Sequence, residues 1–184
     1  MKGINIFLAD GFEDIEALAV NDVLRRGGLK VNLISIEDDP FVVSSHGVTI
    51  GAEQFFSDWN GSHTGTGARD FMIFPGGMPG AANLAASKTV KNAVAFALGH
   101  NRVIGAICAA PGVVLANTGA LSGKRYTCYP GYETAEGTYT AAKTERDGNL
   151  ITANGPAAAA KFAAALAGAV SSSKAEKFIE DMYK

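Results

Sequence analysis

The sequence is poor in cysteine, in long apolar runs and in excess charge of either sign. Its 184 residues include 2 cysteines, too few for the disulfide framework of a small secreted domain. No apolar run approaches the roughly 20 residues that span a membrane, and the run at residues 4–9 is too short for a signal peptide. A formal net charge of -2 gives no electrostatic basis for binding nucleic acid. We therefore expect a cytoplasmic protein that binds neither membranes nor nucleic acid and whose Cys108 and Cys128 are reduced.

The composition is that of a folded globular protein. Hydrophobic residues make up 47% of the chain and charged residues 18%, a balance that distinguishes it from disordered chains. A length of 184 residues suits one domain with a sizeable core. Because no internal repeat and no linker-like segment divides the chain, we predict a single domain over residues 1–184.

Segments typical of buried strands alternate with segments typical of helices. The strands are predicted at residues 4–9, 30–36, 71–74 and 103–107, and the helices at 13–26, 90–98, 111–116, 156–170 and from 173 onward. Hairpins are predicted at 41–50 and 144–152, a short strand at 126–129 and an exposed loop at 57–68. This alternation predicts an α/β sandwich with a mostly parallel central sheet and helices on both faces.

Cys108 is placed by these patterns at the corner between a central buried strand and a helix. The first free N–H groups of a helix point at such a corner, and the helix dipole favours an anion there. We therefore expect the pKa of the thiol to lie below the value of about 8.5 that a free cysteine has. The alternative is a structural cysteine that behaves as a small buried hydrophobe. The small residues around the corner favour the reactive thiolate.

Glu16 is the second candidate for chemistry. Steps of about 100° along the helix at residues 13–26 place it on the apolar stripe, which is formed by Ile15, Ala19, Val20 and Val23. A carboxylate buried there is costly unless it is paired, hydrogen-bonded or protonated. The alternative is a glutamate of the first helical turn that bends out to water and complements the dipole. Glu13 and Asp14 already supply that complement, which favours a functional role for Glu16.

The turn at Gly76 and Gly77 follows another buried strand and supplies a third element. Glycines allow backbone N–H groups to converge on an anion or on a developing oxyanion. Right-handed crossovers bring the carboxyl ends of parallel strands to one edge of the sheet, where open α/β sheets bind ligands. We therefore expect this turn, the turn at Asp10 and Cys108 to meet at that edge.

The sequence lacks the patterns that hold common cofactors. Neither the phosphate-loop motif nor the glycine fingerprint of dinucleotide-binding proteins occurs, and we predict no cofactor and no metal. The three histidines are poorly placed to serve as a base for Cys108. His100 precedes the Cys108 strand and so lies at the opposite edge of the sheet, and His63 lies in the predicted loop. His46 could approach Cys108 only through folding or across a dimer interface.

Four motifs occur in the order DGFEDIE at residues 10–16, FPGG at 74–77, AICAAP at 106–111 and NGP at 154–156. Together they resemble the ThiJ/PfpI superfamily, in its DJ-one protein deglycase branch, and the resemblance covers nearly the whole chain. It implies a flavodoxin-like fold of the class I glutamine amidotransferase type, usually assembled as a homodimer. It also implies that Cys108 is the nucleophile and Glu16 its protonated hydrogen-bonding partner, with the backbone N–H groups of Gly77 and Ala109 as oxyanion donors.

The chain departs from the family pattern at two positions. Members with peptidase-type annotation have histidine directly after the cysteine, where this sequence has Ala109. Relatives of the deglycase branch often have histidine where this sequence has Tyr129, which could donate a hydrogen bond or only pack. A cysteine peptidase needs a base beside its thiol, so the first departure disfavours a peptidase or amide hydrolase. Gly76, Tyr129 and His46 are the candidates for supporting roles.

The leading functional hypothesis is a cofactor-independent enzyme that acts on small reactive carbonyls, of the glyoxalase or deglycase type. The resemblance implies that the Cys108 thiolate adds to an aldehyde and that Glu16 moves the proton. A second hypothesis is a redox sensor or a stress-protective, chaperone-like protein without turnover, because the same thiol would be oxidised selectively. A flavodoxin-like binding protein with an inert cysteine is a further alternative.

Overall fold

The computed structural model describes residues 3–55, 71–170 and 173–182, and the side chains in these ranges except those of residues 55 and 173–176. The exposed loop predicted at residues 57–68 lies outside this part of the chain, as does His63. Within the described ranges, no helix is both long enough and apolar enough to cross a membrane.

Strands and helices alternate along the described chain, as the sequence predicts. In chain order they are β1 Ile4–Leu8, α1 Asp14–Arg26, β2 Val31–Ser35, β3 Phe41–Val43, β4 Thr49–Gly51, β5 Gln54–Phe55, β6 Phe71–Phe74, α2 Gly80–Ala86, α3 Lys88–Gly99, β7 Ile104–Ile107, α4 Ala110–Val113, β8 Arg125–Tyr126, β9 Thr138–Tyr139, β10 Thr144–Asp147, β11 Leu150–Ala153, a 3₁₀ turn Pro156–Ala158, α5 Ala159–Ala169 and α6 Ser173–Met182.

A central sheet of seven strands has the order β10-β11-β7-β6-β1-β2-β5. Its strands are parallel except β10, which pairs antiparallel with β11. Every residue of β1, β6, β7 and β11 is buried, because helices cover both faces of the sheet. Phe162 and Ile179 belong to the core on one face, and Leu84 and Val94 to the core on the other. The predicted three-layer α/β sandwich is therefore confirmed.

The structure changes the predicted bounds of several elements. The helix after Cys108 is the four-residue α4, which ends well before residue 116. The helical region after the glycine turn divides at Ser87, whose hydroxyl caps α3 by accepting a hydrogen bond from the Val90 N–H at 3.3 Å. At residues 126–129 only Tyr126 continues a strand, which pairs with β9, a strand that the sequence did not indicate.

The buried face of α1 is rotated from the predicted one. Ile15 is 52% exposed, whereas Glu16 is completely buried. The buried set follows the spacing i, i+4, i+7 and i+8 from Glu16 through Val20 and Val23 to Leu24. A helix whose stripe includes Glu16 turns the preceding residue outward by about 100°, which explains why Ile15 is not part of the core. In α6, similarly, Ile179 is buried but Phe178 and Met182 are exposed.

Candidate active site

Cys108 lies in the turn that joins β7 to α4, at the carboxyl edge of the sheet. Its backbone φ is 61°, a left-handed value that costs a residue other than glycine on the order of 1–2 kcal/mol. Hydrogen bonds on both sides hold this conformation: the Cys108 N–H donates to Ala153 O at 2.9 Å, and Cys108 O accepts from the Tyr129 N–H at 2.8 Å. The turn therefore presents a partly exposed thiol at the edge where the three predicted elements meet.

Glu16 reaches the thiol from the first turn of α1. Glu13 is the N-cap of this helix, and its Oε2 accepts the Glu16 N–H at 2.7 Å. The Glu16 side chain turns into the sheet edge, where its Oε2 accepts the Gly76 N–H at 2.8 Å and its carboxyl is hydrogen-bonded to the Cys108 thiol. Glu13 was predicted as the first residue of the helix and not as its cap, although a glutamate three residues before another at a helix start resembles a capping pattern.

Gly76 and Gly77 allow α1 and the Cys108 turn to approach each other. A Cβ atom on Gly76 would lie 2.7 Å from Cys108 Cβ and 2.8 Å from Glu16 Oε2. Gly77 has a φ of +85°, and a Cβ there would lie 2.5 Å from the Glu13 nitrogen. The backbone N–H groups of Gly77 and Ala109 are hydrogen-bonded to the Cys108 sulfur. The two residues that the family resemblance names as oxyanion donors thus flank the thiol.

Burial dominates the electrostatics of the Glu16–Cys108 pair. It raises the pKa of the Glu16 carboxyl to about 7. Burial, followed by the charge and the hydrogen bond of Glu16, raises the pKa of the Cys108 thiol to about 12, although the Ala109 and Gly77 N–H groups act in the opposite direction. The expectation of a lowered thiol pKa is therefore wrong for a thiol that faces an ionised Glu16. The lower pKa was expected from the dipole of a longer helix, which the four-residue α4 does not supply, whereas burial and the Glu16 carboxylate raise the pKa.

Two interacting groups of this kind lose their protons as a unit. The first proton leaves the Glu16–Cys108 pair near pH 7, and a single negative charge is then shared between carboxyl and sulfur. At neutral pH the site therefore holds both a proton donor and a negatively charged group within hydrogen-bonding reach of each other.

We predict that Glu16 lowers the stability of the folded protein as the pH rises from about 4.5 to about 7. Its folded pKa, about 7, lies above the ordinary value of 4.5, so the folded state binds the proton more tightly. Below the unfolded pKa, this tighter proton binding contributes about 3 kcal/mol to the free energy of unfolding. The contribution is lost as the pH rises through the folded pKa. Denaturant unfolding of the parent and of Glu16→Gln across this range measures the effect.

The comparison with Glu16→Gln isolates this group. Asp14 and Glu53 have lowered pKa values, so their contributions change at pH values below this range. A stability difference between parent and variant that stays constant from pH 4.5 to pH 7 would contradict the raised pKa of Glu16.

His46 faces Asp14. Its Nδ1 lies 2.7 Å from Asp14 Oδ2, and its side chain is 70% exposed. Burial raises the pKa of Asp14, but hydrogen bonds from Ser44 and His46 outweigh burial and hold the pKa below its usual value. Glu13, Asp14 and His46 each bring one ligand atom within 4.8 Å of the others, which makes them the described residues that could hold a metal ion. Glu13 already caps α1, and Asp14 and His46 are hydrogen-bonded to each other.

Tyr129 lies at the rim of the site. Its side chain is 48% exposed, its ring packs edge-on with the Tyr132 ring, and a Cβ atom on Gly155 would lie 3.3 Å from it. The residue before it, Cys128, is completely buried, and burial followed by the charge of Glu133 raises the pKa of its thiol to about 11. The two cysteines therefore differ in access: Cys108 can meet a solute, whereas Cys128 is part of the core.

Comparison with known proteins agrees with the motifs. Residues 2–169 match the DJ-1/PfpI family. The chain is 34% identical over 168 residues to protein DJ-1 homolog B of Arabidopsis thaliana, covering 90% of this chain and 37% of that protein, so it spans less than half of that plant relative. It is 34% identical over 170 residues to protein dj-1beta of Drosophila melanogaster, covering 90% of this chain and 88% of that protein.

Two further matches bear on chemistry. The glutathione-independent glyoxalase DJ-1 of Schizosaccharomyces pombe is 29% identical over 169 residues, covering 88% of this chain and 87% of that protein. The solved structure of oxidized Toxoplasma gondii DJ-1 has a TM-score of 0.89 at 28% identity, covering 100% of this chain and 98% of that one. The flavodoxin-like fold that the resemblance implied is confirmed. The sequence motifs, the fold and these matches agree, and the chain therefore belongs to the DJ-1/PfpI family.

Proposed function

We propose that the protein is a cofactor-independent glyoxalase that converts small 2-oxoaldehydes such as methylglyoxal into 2-hydroxy acids. The observation that carries the proposal is the buried Glu16 carboxyl, hydrogen-bonded to a partly exposed Cys108 thiol between two backbone donors. The glyoxalase named among the relatives supports the same class of reaction. Protein deglycation by the same nucleophile is a more specific activity that this proposal includes.

In the first step the Cys108 sulfur adds to the aldehyde carbon. A C–S bond forms, the π pair of the C=O bond becomes an alkoxide, and the proton of Glu16 neutralises it to give a hemithioacetal. The Gly77 and Ala109 N–H groups are positioned beside the sulfur and stabilise the alkoxide as it develops.

In the second step Glu16, now a carboxylate, removes the hydrogen of the former aldehyde carbon. The electron pair forms an enediolate. Return of the proton from Glu16 to the neighbouring carbon, together with movement of the hydroxyl proton from the first oxygen to the second, gives a 2-hydroxyacyl thioester of Cys108. Water then attacks the thioester carbon, the C–S bond breaks and the 2-hydroxy acid leaves as its carboxylate, while a proton of the water returns to Glu16 and the thiolate is regenerated. The net reaction adds one water to methylglyoxal and yields lactate, without an oxidant or a reductant.

The mechanism requires the single charge of the pair to reside on sulfur when substrate is attacked. Two backbone N–H groups, those of Gly77 and Ala109, are directed at the sulfur, whereas the Gly76 N–H is directed at Glu16. A Glu16 that keeps its proton avoids a buried carboxylate and donates to the sulfur.

The test is incubation of the purified protein with methylglyoxal in a buffer without added thiols, with the product identified by NMR. Lactate is the expected product, and solvent deuterium is expected at its second carbon to the extent that Glu16 exchanges its proton. Disappearance of methylglyoxal without lactate would indicate simple adduct formation and would contradict the proposal.

We expect Gly76→Ala to reduce this turnover by at least about tenfold. The new methyl group requires Cys108 or Glu16 to move, and a catalytic group that is displaced from its position reacts much more slowly. The contacts that it would make, 2.7 Å to Cys108 Cβ and 2.8 Å to Glu16 Oε2, lie inside the site. Gly99→Ala, at a position with no atom within 4 Å of the added Cβ, is the matched control. Equal rates in the two variants would contradict the geometry of the site.

A redox function is the second candidate, favoured by the same partly exposed thiol and its backbone donors. Peroxide would oxidise the thiolate first to a sulfenate and then to a sulfinate, with one water released at each step. The similar structure of Toxoplasma gondii DJ-1 is that of an oxidized protein, which supports this candidate. Intact mass after mild peroxide tests it: a gain of two oxygens at Cys108, and none at Cys128, is expected.

We propose that the chain forms a homodimer through the start of α1 and the β3–β4 hairpin. Four large apolar side chains there are exposed, namely Ile15, Phe41, Val43 and Val48. The bridge between Phe12 and Ser44 joins the two elements beside the site. Sedimentation equilibrium is expected to give a dimer mass, and a monomer at all concentrations would contradict this assembly.

A further inference from the structure

Glu13 is joined to the Glu16–Cys108 pair by a closed ring of three hydrogen bonds. The Glu13 N–H donates to Gly76 O at 3.0 Å, and the Gly76 N–H donates to Glu16 Oε2 at 2.8 Å. The Glu16 N–H in turn donates to Glu13 Oε2 at 2.7 Å. The ring fixes Glu13 relative to the carboxyl that moves the proton, although the glyoxalase steps proposed above use Glu16 and not Glu13.

The ring differs from the usual arrangement of a capped helix start. In a capping box, the glutamate three residues after the cap folds back and accepts the N–H of the cap residue. Here Gly76 O accepts the Glu13 N–H instead. The Glu16 carboxyl is therefore free to accept the Gly76 N–H and to face the Cys108 thiol. The glycine turn thus releases Glu16 from a capping role.

Glutamate is an unusual residue at the cap itself. Serine, threonine, aspartate and asparagine are preferred there, because a short side chain readily accepts an N–H group two or three residues later. Capping of the Glu16 N–H alone therefore does not require a glutamate. Compared with a serine or an asparagine, Glu13 adds a negative charge beside Glu16.

The charge of Glu13 acts on the carboxyl of the pair. Burial is the main cause of the raised pKa of Glu16. Hydrogen bonds with Cys108 and Gly76 lower this pKa, and the charge of Glu13 raises it further. The pKa of the Cys108 thiol is shifted by burial, by Glu16 and by two backbone N–H groups. A like charge disfavours the ionised form of a carboxyl, so the single charge of the pair is more stable on sulfur.

The other titratable groups near the ring come from three elements. Cys108 faces Glu16 from the β7–α4 turn. Polar atoms of Asp14 in α1 and of His46 in the β3–β4 hairpin lie within 4.8 Å of the Glu13 carboxylate. Asp14 Oδ2 is 2.7 Å from His46 Nδ1, so the Asp14 carboxylate is directed at the hairpin. Asp14 therefore carries the same charge as Glu13 at the same helix start but is not part of the ring.

We propose that Glu13 is a positioning residue, which holds Glu16 against Gly76 and whose negative charge keeps the single charge of the pair on the Cys108 sulfur. Glu13 acts through Glu16 and not on the reacting atoms. The inference deepens the proposed function: its effect on turnover rests on that function, whereas its effect on the reactivity of the thiol does not.

The experiment compares Glu13→Gln with Glu13→Asp in the pH profile of Cys108 alkylation by iodoacetamide at low salt. Glutamine keeps an oxygen that can accept the Glu16 N–H but removes the charge, so the midpoint is expected to fall by about half a pH unit. The alkylation rate at about pH 8 is expected to fall at least about twofold, because part of the charge moves from sulfur to Glu16. Aspartate keeps the charge and is a preferred cap, so it is expected to retain the midpoint of the parent.

Two controls separate the charge of Glu13 from other causes. Asp14→Asn removes a charge from the same helix start and is expected to shift the midpoint much less than Glu13→Gln does. Repeating both measurements in a His46→Gln background removes the titration of the imidazole from the pH profile. The shift in Glu13→Gln is expected to be smaller in about 0.5 M KCl, because salt screens the partly exposed Glu13.

Three results would overturn the proposal: an unchanged midpoint in Glu13→Gln, equal effects of Glu13→Gln and Glu13→Asp, or an equal shift in Asp14→Asn. A residue that only caps the helix would not move the midpoint. Turnover of methylglyoxal is measured on the same samples, and kcat of Glu13→Gln is expected to fall with the alkylation rate. If the parent does not convert methylglyoxal, the proposed function is wrong, and the alkylation profile still decides the role of Glu13.

Discussion

Replacing Cys108 with serine is expected to lower the turnover of methylglyoxal by at least about a thousandfold, because a hydroxyl is a far weaker nucleophile than a thiolate near neutral pH. The site offers Glu16 as a proton carrier, but a carboxyl with a pKa of about 7 is too weak a base to ionise a serine hydroxyl. The measurement is the rate of lactate formation at saturating methylglyoxal, with circular dichroism to show that the fold is retained.

Cys128→Ser is the matched control for this prediction. It removes the other thiol of the chain, which is completely buried and whose pKa burial raises to about 11. Turnover per folded molecule is expected to stay within about a factor of two of the parent, since surface or core changes away from the reacting atoms alter binding of the transition state little. If Cys108→Ser retains the activity of the parent, the proposed covalent mechanism is wrong.

Glu16→Gln is expected to lower turnover by at least about a hundredfold, the usual contribution of a positioned acid–base group. The glutamine amide can still donate a hydrogen bond to sulfur, but it cannot give up and recover a proton. The variant therefore separates stabilisation of the sulfur from proton transfer.

The pH dependence of Cys108 alkylation by iodoacetamide tests where the charge of the pair resides. If the charge is on sulfur, the parent reacts with a midpoint near pH 7, where the pair loses its first proton. In Glu16→Gln the midpoint then rises above about 8.5, because the Cys108 thiolate loses the carboxyl proton that stabilises its charge.

The opposite pattern would contradict the thiolate mechanism. If the charge resides on Glu16, the parent thiol titrates near 12, and Glu16→Gln lowers the midpoint by removing the neighbouring carboxylate. The direction of the shift therefore distinguishes the two charge states. Measurement on Cys108→Ser corrects for any reaction at Cys128.

The local patterns of the sequence predicted much of the architecture, because each depends on a few neighbouring residues. Apolar runs such as Phe71–Phe74 and Ile104–Ile107 are strands buried on both faces. The glycine turn at Gly76 and Gly77 follows one of them, and parallel topology brings it to Cys108. The spacing from Glu16 to Val20 and Val23 also predicted a buried carboxyl, which the structure confirms.

Properties that depend on several segments could not be predicted in the same way. The thiol pKa was expected to fall on the basis of one helix end, but α4 is short and Glu16 and burial act in the other direction. Ile15 was assigned to the core from helical periodicity, yet the rotation of α1 is decided by the packing of Val20 and Leu24 on the sheet. For His46 the sequence allowed an approach to Cys108 only through folding or across a dimer interface, and the structure pairs it with Asp14.

The sequence by itself determined the α/β class, the family and the identity of Cys108 and Glu16 as a candidate pair, because these depend on motifs and on short-range periodicity. Only the tertiary structure decided the protonation of that pair and the left-handed turn at Cys108. Burial and charge at a point are sums over residues that are distant in the chain, and these distances exist only after folding.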